Sequence, residues 1–379
     1  MSSEDGRRIY EELGVKPLIN AAGNVTLIGG SRVPDRVLEA VAQANRYYVD
    51  MEELLKKSGE YIAGVFGAEA AFVTSGCGAA LALGAAACVS GSDPEKMERM
   101  PDTTGMKNEI LIQKRQRYSY DRCLTIFGAK LVEVGDEEGT TAAQLEAAIT
   151  DRTAALHYFA PGGGEGVLPI EEVIRVGKAR GVPVLVDAAA QLFPLELMKR
   201  YTGLGADLVC YGAKYFGSFH STGILCGRKA LVDAAFRHCF IGFEAGRYRG
   251  IGRPLKVDRQ GIIAVVVALR DWLVMDHAAR LAEHERKGGV ILRAIEGMPH
   301  VTAEWTPDSR SLSSGVRVTL DEKGLGKTAV QVIQALREGT PGIWTRGGGN
   351  WFLLATSPMF DGEEQVVARR LREVLIGGR

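Results

Sequence analysis

Long hydrophobic runs are missing from this 379-residue chain. Its longest apolar stretches, Ala79 to Val89 and Ile262 to Leu269, fall short of the roughly 20 residues that a membrane-spanning helix needs. The first residues, MSSEDGRRIYEELG, carry charges where a signal peptide needs an apolar centre. An excess of either charge is missing as well: 46 Lys and Arg balance 46 Asp and Glu. Such neutrality argues against a nucleic-acid surface, which shows as a basic excess or stripe. Cysteine is sparse and scattered (Cys77, Cys88, Cys123, Cys210, Cys226, Cys239), without a CxxC pair or a metal-like spacing. Reduced, buried thiols in a reducing cytoplasm are therefore expected, with no metal. Neither a Walker-type GxxxxGK[ST] nor a well-placed GxGxxG occurs, which weighs against a nucleotide-dependent enzyme. Repeats, low-complexity tracts and Pro/Ser-rich linkers are absent too.

What is present is the composition of an ordinary soluble protein, 46% hydrophobic and 24% charged, long enough for two domains. Residues 1–50 read as an irregular arm plus a helix that begins near Pro34, and 51–66 as an amphipathic helix. From Ala70, short β-rich runs (AAFVTS, EILIQK, KLVEVG, AALHYF, VPVLVD, DLVCYG, TGILCG) alternate with helical patterns at Ala79–Val89, Ala142–Ile149 and Ile170–Ala179. That alternation predicts an α/β fold with a mostly parallel sheet flanked by helices. The pattern changes near residue 256. A long helical stretch over 257–296, interrupted at Gly288-Gly289, is expected to bridge to a smaller C-terminal α+β domain. The domains are thus expected at 1–50, 51–256 and 257–379.

The chemistry centres on Lys214. It follows an apolar run at a strand end, where an ammonium is poorly solvated, its pKa falls, and its amine can condense with an aldehyde. The run VPVLVDAAAQ brings Asp187 to the same crevice, and the small residues Ala188-Ala189-Ala190 leave room for a flat ring. A condensing lysine and an aspartate for a pyridinium nitrogen form the constellation of pyridoxal-phosphate enzymes. Ser75-Gly76-Cys77, between a strand and an Ala-rich helix, suits an anion: glycine turns the backbone and the helix N-terminus offers unpaired N–H groups. A plain strand-to-helix turn is the alternative there, and an N-cap the alternative for Asp187. Gln191 lies within reach of the ring's phenolic oxygen. Tyr118, Tyr120 and His157 are the candidates to stack on the ring, with Tyr120 preferred. His220 suits acid/base work or a phosphate held from a neighbouring subunit, against a structural histidine. The basic run Arg247, Arg249, Arg253, Lys256 suits a substrate carboxylate or phosphate, or simply a solvated face. Gly162-Gly163-Gly164 and Gly347-Gly348-Gly349 read as turns.

Taken in order, INAAGNVTLIGGSRVP (Ile19 to Pro34), VDMEELLKKSGEYIAGVFGAEAAFVTSGCGAALALGAAAC, PIEEVIRVGKARGVPVLVDAAAQ, GAK with STGILCGRKALVDA, and IGRPLKVDR (Ile251 to Arg259) resemble the fold type I pyridoxal-phosphate enzymes. Within these they resemble the selenocysteine synthase-like family, L-seryl-tRNA selenium transferase and its relatives, and most of all the D-glucosaminate-6-phosphate ammonia-lyase branch. The resemblance implies Lys214 as the Schiff-base lysine, Asp187 as the pyridinium partner, and Ser75, Gly76 and Cys77 at the phosphate. Tyr211, three residues before the lysine where the family usually has Ser, joins the cofactor contacts. Asn24, Arg249 and Arg253 are assigned to the substrate. The chain also departs from the family at Gly217-Ser218-Phe219-His220, where Arg-Gly-Pro-Gln is usual, and around Ser357, where an arginine is replaced. The implied activity is α,β-elimination from a hydroxy-amino acid or amino-sugar acid, releasing a 2-oxo acid and ammonia, in a homodimer or higher homo-oligomer. A transferase, racemase or aldolase reaction, or a non-catalytic pyridoxal-phosphate-binding homologue, stays open beside it.

Overall fold

The computed structural model describes residues 3–307 and 313–377. The chain divides into two compact units, Arg32–Val274 and the combination of Met1–Ser31 with Met275–Arg379. A short strand of the arm, β1 (Leu18–Asn20), belongs to the second of these.

The larger unit is built on seven strands: β2 (Ala70–Thr74), β3 (Glu109–Gln113), β4 (Lys130–Val134), β5 (Thr153–Phe159), β6 (Val184–Asp187), β7 (Leu208–Gly212) and β8 (Gly223–Gly227). They are the seven β-rich runs of the sequence. Their order across the sheet is β2-β8-β7-β6-β5-β3-β4. Only β8 runs against its neighbours β2 and β7; the other pairs are parallel. Strands β3, β6, β7 and β8 are buried along their whole length, as expected for a sheet covered on both faces, and so read as continuous apolar runs. The parallel crossovers bring the carboxyl ends of β2, β3, β5, β6 and β7, with the start of β8, to one edge. That edge is where such sheets hold ligands.

Local chemistry sets the helices around it. Asp50 caps Met51–Phe66 by accepting from the Glu53 N–H, and left-handed Gly67 ends it. The helix Cys77–Ser90 is apolar on every side and buried accordingly. Gly59 lets Met51–Phe66 lie directly on the sheet: a Cβ there would fall 2.0 Å from the Ala71 carbonyl oxygen.

In the second unit, β1 pairs in parallel with β11 (Gly342–Trp344), after β9 (Val301–Thr306) and β10 (Gly315–Leu320) in the chain. With β12 (Arg346–Gly348) and β13 (Trp351–Ala355), β9 and β10 form an antiparallel sheet in the order β12-β13-β10-β9. The helices His277–Ile295 and Glu363–Ile376 contribute Ile291, Ile295 and Leu371 to a core shared with Val316, Val318 and Phe352.

Two sequence expectations change. The long helical stretch is two helices, Arg259–Val274 and His277–Ile295, broken at Met275-Asp276, where Asp276 accepts from the Ala279 N–H as an N-cap. Gly288-Gly289 does not break the second helix; Gly288 instead makes room for Trp305, whose ring would lie 2.5 Å from an added Cβ. The boundary therefore falls at 274/275 rather than 256, and the first 31 residues group with the C-terminal unit. Among the described residues no helix is long and apolar enough to cross a membrane.

The helix Met51–Phe66 yields a paired prediction. Gly59→Ala forces a methyl into backbone and should destabilise the protein by about 1–3 kcal/mol. Gly64→Ala in the same helix meets nothing within 4 Å and should stabilise it by about 0.5–1 kcal/mol. Thermal unfolding of the two variants checks both signs.

Candidate active site

Asp187 closes β6, between Phe159 of β5 and Cys210 of β7. It is 3% exposed. One carboxylate oxygen accepts from the Tyr118 hydroxyl at 2.5 Å; the other accepts from the Ala189 N–H at 3.1 Å and the Cys77 thiol at 3.6 Å. All three partners are neutral. Burial raises the Asp187 pKa above the ordinary carboxylate value, and the three hydrogen bonds only pull against that rise. A buried acid of this kind is complementary to a cation that no described residue in contact with it supplies.

Lys214 lies in the single turn Ala213–Phe216 that follows β7. The loop after it is tied back to the strand pair: the Ala213 N–H donates to the Thr222 carbonyl at 3.0 Å, and the Ser218 N–H to the Ala213 carbonyl at 3.2 Å. The Thr222 hydroxyl meets the Phe219 carbonyl at 2.7 Å and the Ser218 hydroxyl at 3.0 Å. Lys214 is half-buried, and this burial pushes its pKa below the usual lysine value. Its ammonium lies 5.2 Å from the centre of the Tyr215 ring. Cys77, which donates to Asp187 at 3.6 Å, is also near enough to act on the charge of Lys214. Burial and the neighbouring Asp187 push that thiol well above its ordinary pKa, which keeps it neutral.

The turn Ser75-Gly76 leads from β2 into the helix Cys77–Ser90. Gly76 stands at φ 100°, the left-handed region, and no side chain caps the helix. The first intrahelical bond at this end runs from the Ala80 N–H to the Gly76 carbonyl, which leaves the earlier N–H groups for an anion. Gly223, opening β8, packs against this turn: a Cβ there would fall 2.5 Å from the Gly76 carbonyl carbon.

The other expected residues divide. His220 interacts with Lys214, which together with burial lowers its pKa, and its buried Nδ1 has no hydrogen-bond partner. Gln191 is buried in the turn after β6, its N–H on the Ala188 carbonyl. Tyr120, preferred for stacking, is 66% exposed, with its ring 6.3 Å from that of Tyr118. Tyr118 is the tyrosine that reaches Asp187. Tyr211 is corrected: side chains alternate along β7, so it turns to the face opposite Cys210. There it lies against Phe66 at 4.6 Å and donates to the Met198 carbonyl at 3.1 Å. Arg249 and Arg253 do not converge on the lysine; Arg249 pairs with Glu98 at 2.8 Å and Arg253 with Glu244, both at the surface. Asn24 belongs to the second unit. The Tyr118 contact was within reach of the sequence, since Tyr118 follows β3 at the same sheet edge as Asp187, and Arg117 and Asp121 around it form an i,i+4 pair.

No family model matches the chain. It is 33% identical to the 5'-C-glycyluridine monooxygenase-decarboxylase of a Streptomyces species, over 97% of this chain and 92% of that one. It is 30% identical to the D-glucosaminate-6-phosphate ammonia lyase of Salmonella typhimurium, over 97% of each. A solved structure of D-glucosaminate-6-phosphate ammonia-lyase superposes with a TM-score of 0.83 at 29% identity, covering 97% of this chain and 98% of that one. The L-seryl-tRNA(Sec) selenium transferase of Nitratidesulfovibrio vulgaris is 26% identical over 88% of this chain and 68% of its own.

The burial of Asp187 predicts a pH signature in protein freed of small ligands. With its pKa raised in the fold, the native state holds the proton to higher pH than the unfolded chain. Stability therefore falls as pH rises from the unfolded pKa through the folded one. Asp187→Asn does not ionise, so it should be more stable than wild type near neutral pH. The advantage should vanish below the carboxylate range, as denaturant unfolding at the two pH values would reveal.

Proposed function

Because the chain belongs to the selenocysteine synthase-like family of fold type I pyridoxal-phosphate enzymes, we propose that it is a pyridoxal-phosphate-dependent lyase. It eliminates the β-hydroxyl of a hydroxy-amino acid or amino-sugar acid as water and takes up a water when the resulting enamine hydrolyses, so that the net products are a 2-oxo acid and ammonia. The observation that carries this reading is the buried Asp187 carboxylate, surrounded by neutral donors at the same sheet edge as the half-buried Lys214. The residues present fit the cofactor. An acid without a cation suits a ring nitrogen that must stay protonated, an uncapped helix N-terminus suits a phosphate, and Ala188 and Ala189 are small enough to lie beside a flat ring.

When bound, pyridoxal phosphate supplies a protonated ring that draws off the electrons left at Cα as its proton departs. The chain does the rest. Burial leaves a larger share of Lys214 as neutral amine than an exposed lysine has at the same pH, and only that form attacks an aldehyde or accepts the Cα proton. Asp187 would hold the ring nitrogen, and Ser75 with the N–H groups from Cys77 onward would hold the phosphate. His220, beside Lys214, is suited to deliver a proton to the departing hydroxyl. The balanced charge of the chain favours a small-molecule substrate over tRNA, and its six free thiols fit the reducing cytoplasm. A homodimer or higher homo-oligomer belongs to the same reading.

The 33% identical monooxygenase-decarboxylase carries a second reading, oxidative decarboxylation of an amino acid on the same lysine and aspartate. A panel of hydroxy-amino acids and amino-sugar acids separates the two. The lyase reading expects ammonia and 2-oxo acid in equal amounts without dioxygen uptake, and loss of about 10²–10⁴-fold or more in kcat for Lys214→Ala. Dioxygen consumption with carbon dioxide release would establish the second reading instead.

A further inference from the structure

The aromatic ring that reaches Asp187 is held far more tightly than packing alone requires. Tyr118 donates its hydroxyl to Asp187 at 2.5 Å, and the same oxygen lies 3.3 Å from His157 Nε2. Its ring stacks on Phe159 at 4.1 Å and 12°, and is within 8° of parallel to the His157 ring. Its backbone N–H donates to Asp121 at 3.2 Å, and the buried Asp121 is pinned in turn by Arg117 at 2.5 Å. Arg117 also meets Glu133. Position and orientation of the phenol are thereby fixed from both sides.

Proton counting gives these contacts a direction. An ionised carboxylate only accepts, so the single phenolic proton belongs to the Asp187 bond. His157 Nε2 lies 3.3 Å from the same oxygen. Burial pushes the His157 pKa down to about 4, against a backbone hydrogen bond with Leu185, so the ring is neutral near neutral pH. The phenol thus meets Asp187 as a neutral donor with a neutral imidazole at its back. The titratable groups facing Asp187 from the packed elements are Cys77, Cys123, Cys210 and Tyr118, and burial holds each in its neutral form. None of them is a cation.

We infer that Tyr118, itself supported by His157, is a positioning residue that holds Asp187 as the anion keeping the cofactor's ring nitrogen protonated, an inference resting on the reading proposed above. A donor to the carboxylate makes it a weaker base. The proton shared between Asp187 and a ring nitrogen then stays on the nitrogen, where it is needed for electron withdrawal. Without Tyr118 the more basic carboxylate takes that proton and leaves a neutral pair, which burial favours.

The test loads the full chain with pyridoxal phosphate isotope-labelled at its ring nitrogen and reads that nitrogen by NMR. Wild type should give a pyridinium signal. Tyr118→Phe should move it toward neutral pyridine at the same pH, with kcat down about tenfold to a hundredfold and KM nearly unchanged. An unchanged nitrogen signal in Tyr118→Phe overturns the inference. So does failure of that variant to retain cofactor that wild type retains, because Tyr118 would then be a binding contact. Should Tyr118→Phe not fold, His157→Leu should show the shift and the polar His157→Gln a smaller one; equal signals contradict the proposal. Failure of the wild-type chain to take up pyridoxal phosphate would instead remove the underlying functional reading, and the inference with it.

Discussion

The site depends on an electrostatic mismatch: a carboxylate sealed at the edge of a sheet, hydrogen-bonded yet, among the described residues, without a positive partner in contact with it. Burial of Asp187 disfavours its anion, and three neutral donors offset that only in part. On the proposed reading, a ligand that carries a cation to this point relieves the mismatch. At the same sheet edge, burial acts on Lys214 in the opposite sense and lowers its pKa. One edge thus holds an acid that keeps its proton more tightly, and a lysine that keeps its proton less tightly, than either does in water.

The fold delivers this through strand ends. Parallel crossovers set the end of β6, the turn after β7 and the helix after β2 on the same side. Antiparallel β8 returns His220 and Gly223 to that side. Close packing allows little adjustment: Gly223 presses on the Gly76 turn, and Gly59 seats a helix on a backbone carbonyl. The structural likeness to D-glucosaminate-6-phosphate ammonia-lyase, at a TM-score of 0.83, follows this same framework. The fold is that of the fold type I pyridoxal-phosphate enzymes.

Much of this was legible in the sequence because buried strands leave continuous apolar runs, as β3, β6, β7 and β8 do. Lys214, Asp187 and the Gly76 turn were readable for the related reason that strand ends are where such runs stop. What failed depended on neighbours in space. Gly288-Gly289 looked like a helix break because glycine weakens helices, yet it serves the Trp305 ring, while the real break at Met275-Asp276 is marked only by a cap. Tyr211 was misassigned because a strand position beside the lysine says nothing of which sheet face it occupies. That Tyr118 rather than Tyr120, two positions on, reaches Asp187 is set by the path of the turn, which composition does not show. Arg249 and Arg253 looked free because their partners Glu98 and Glu244 cannot be paired with them from sequence alone.

The most direct measurement is borohydride reduction of the protein incubated with pyridoxal phosphate, followed by peptide mapping. The account predicts one stable pyridoxyl adduct, on Lys214, strongly diminished in Asp187→Ala. An adduct on another lysine, or none at all, would contradict it.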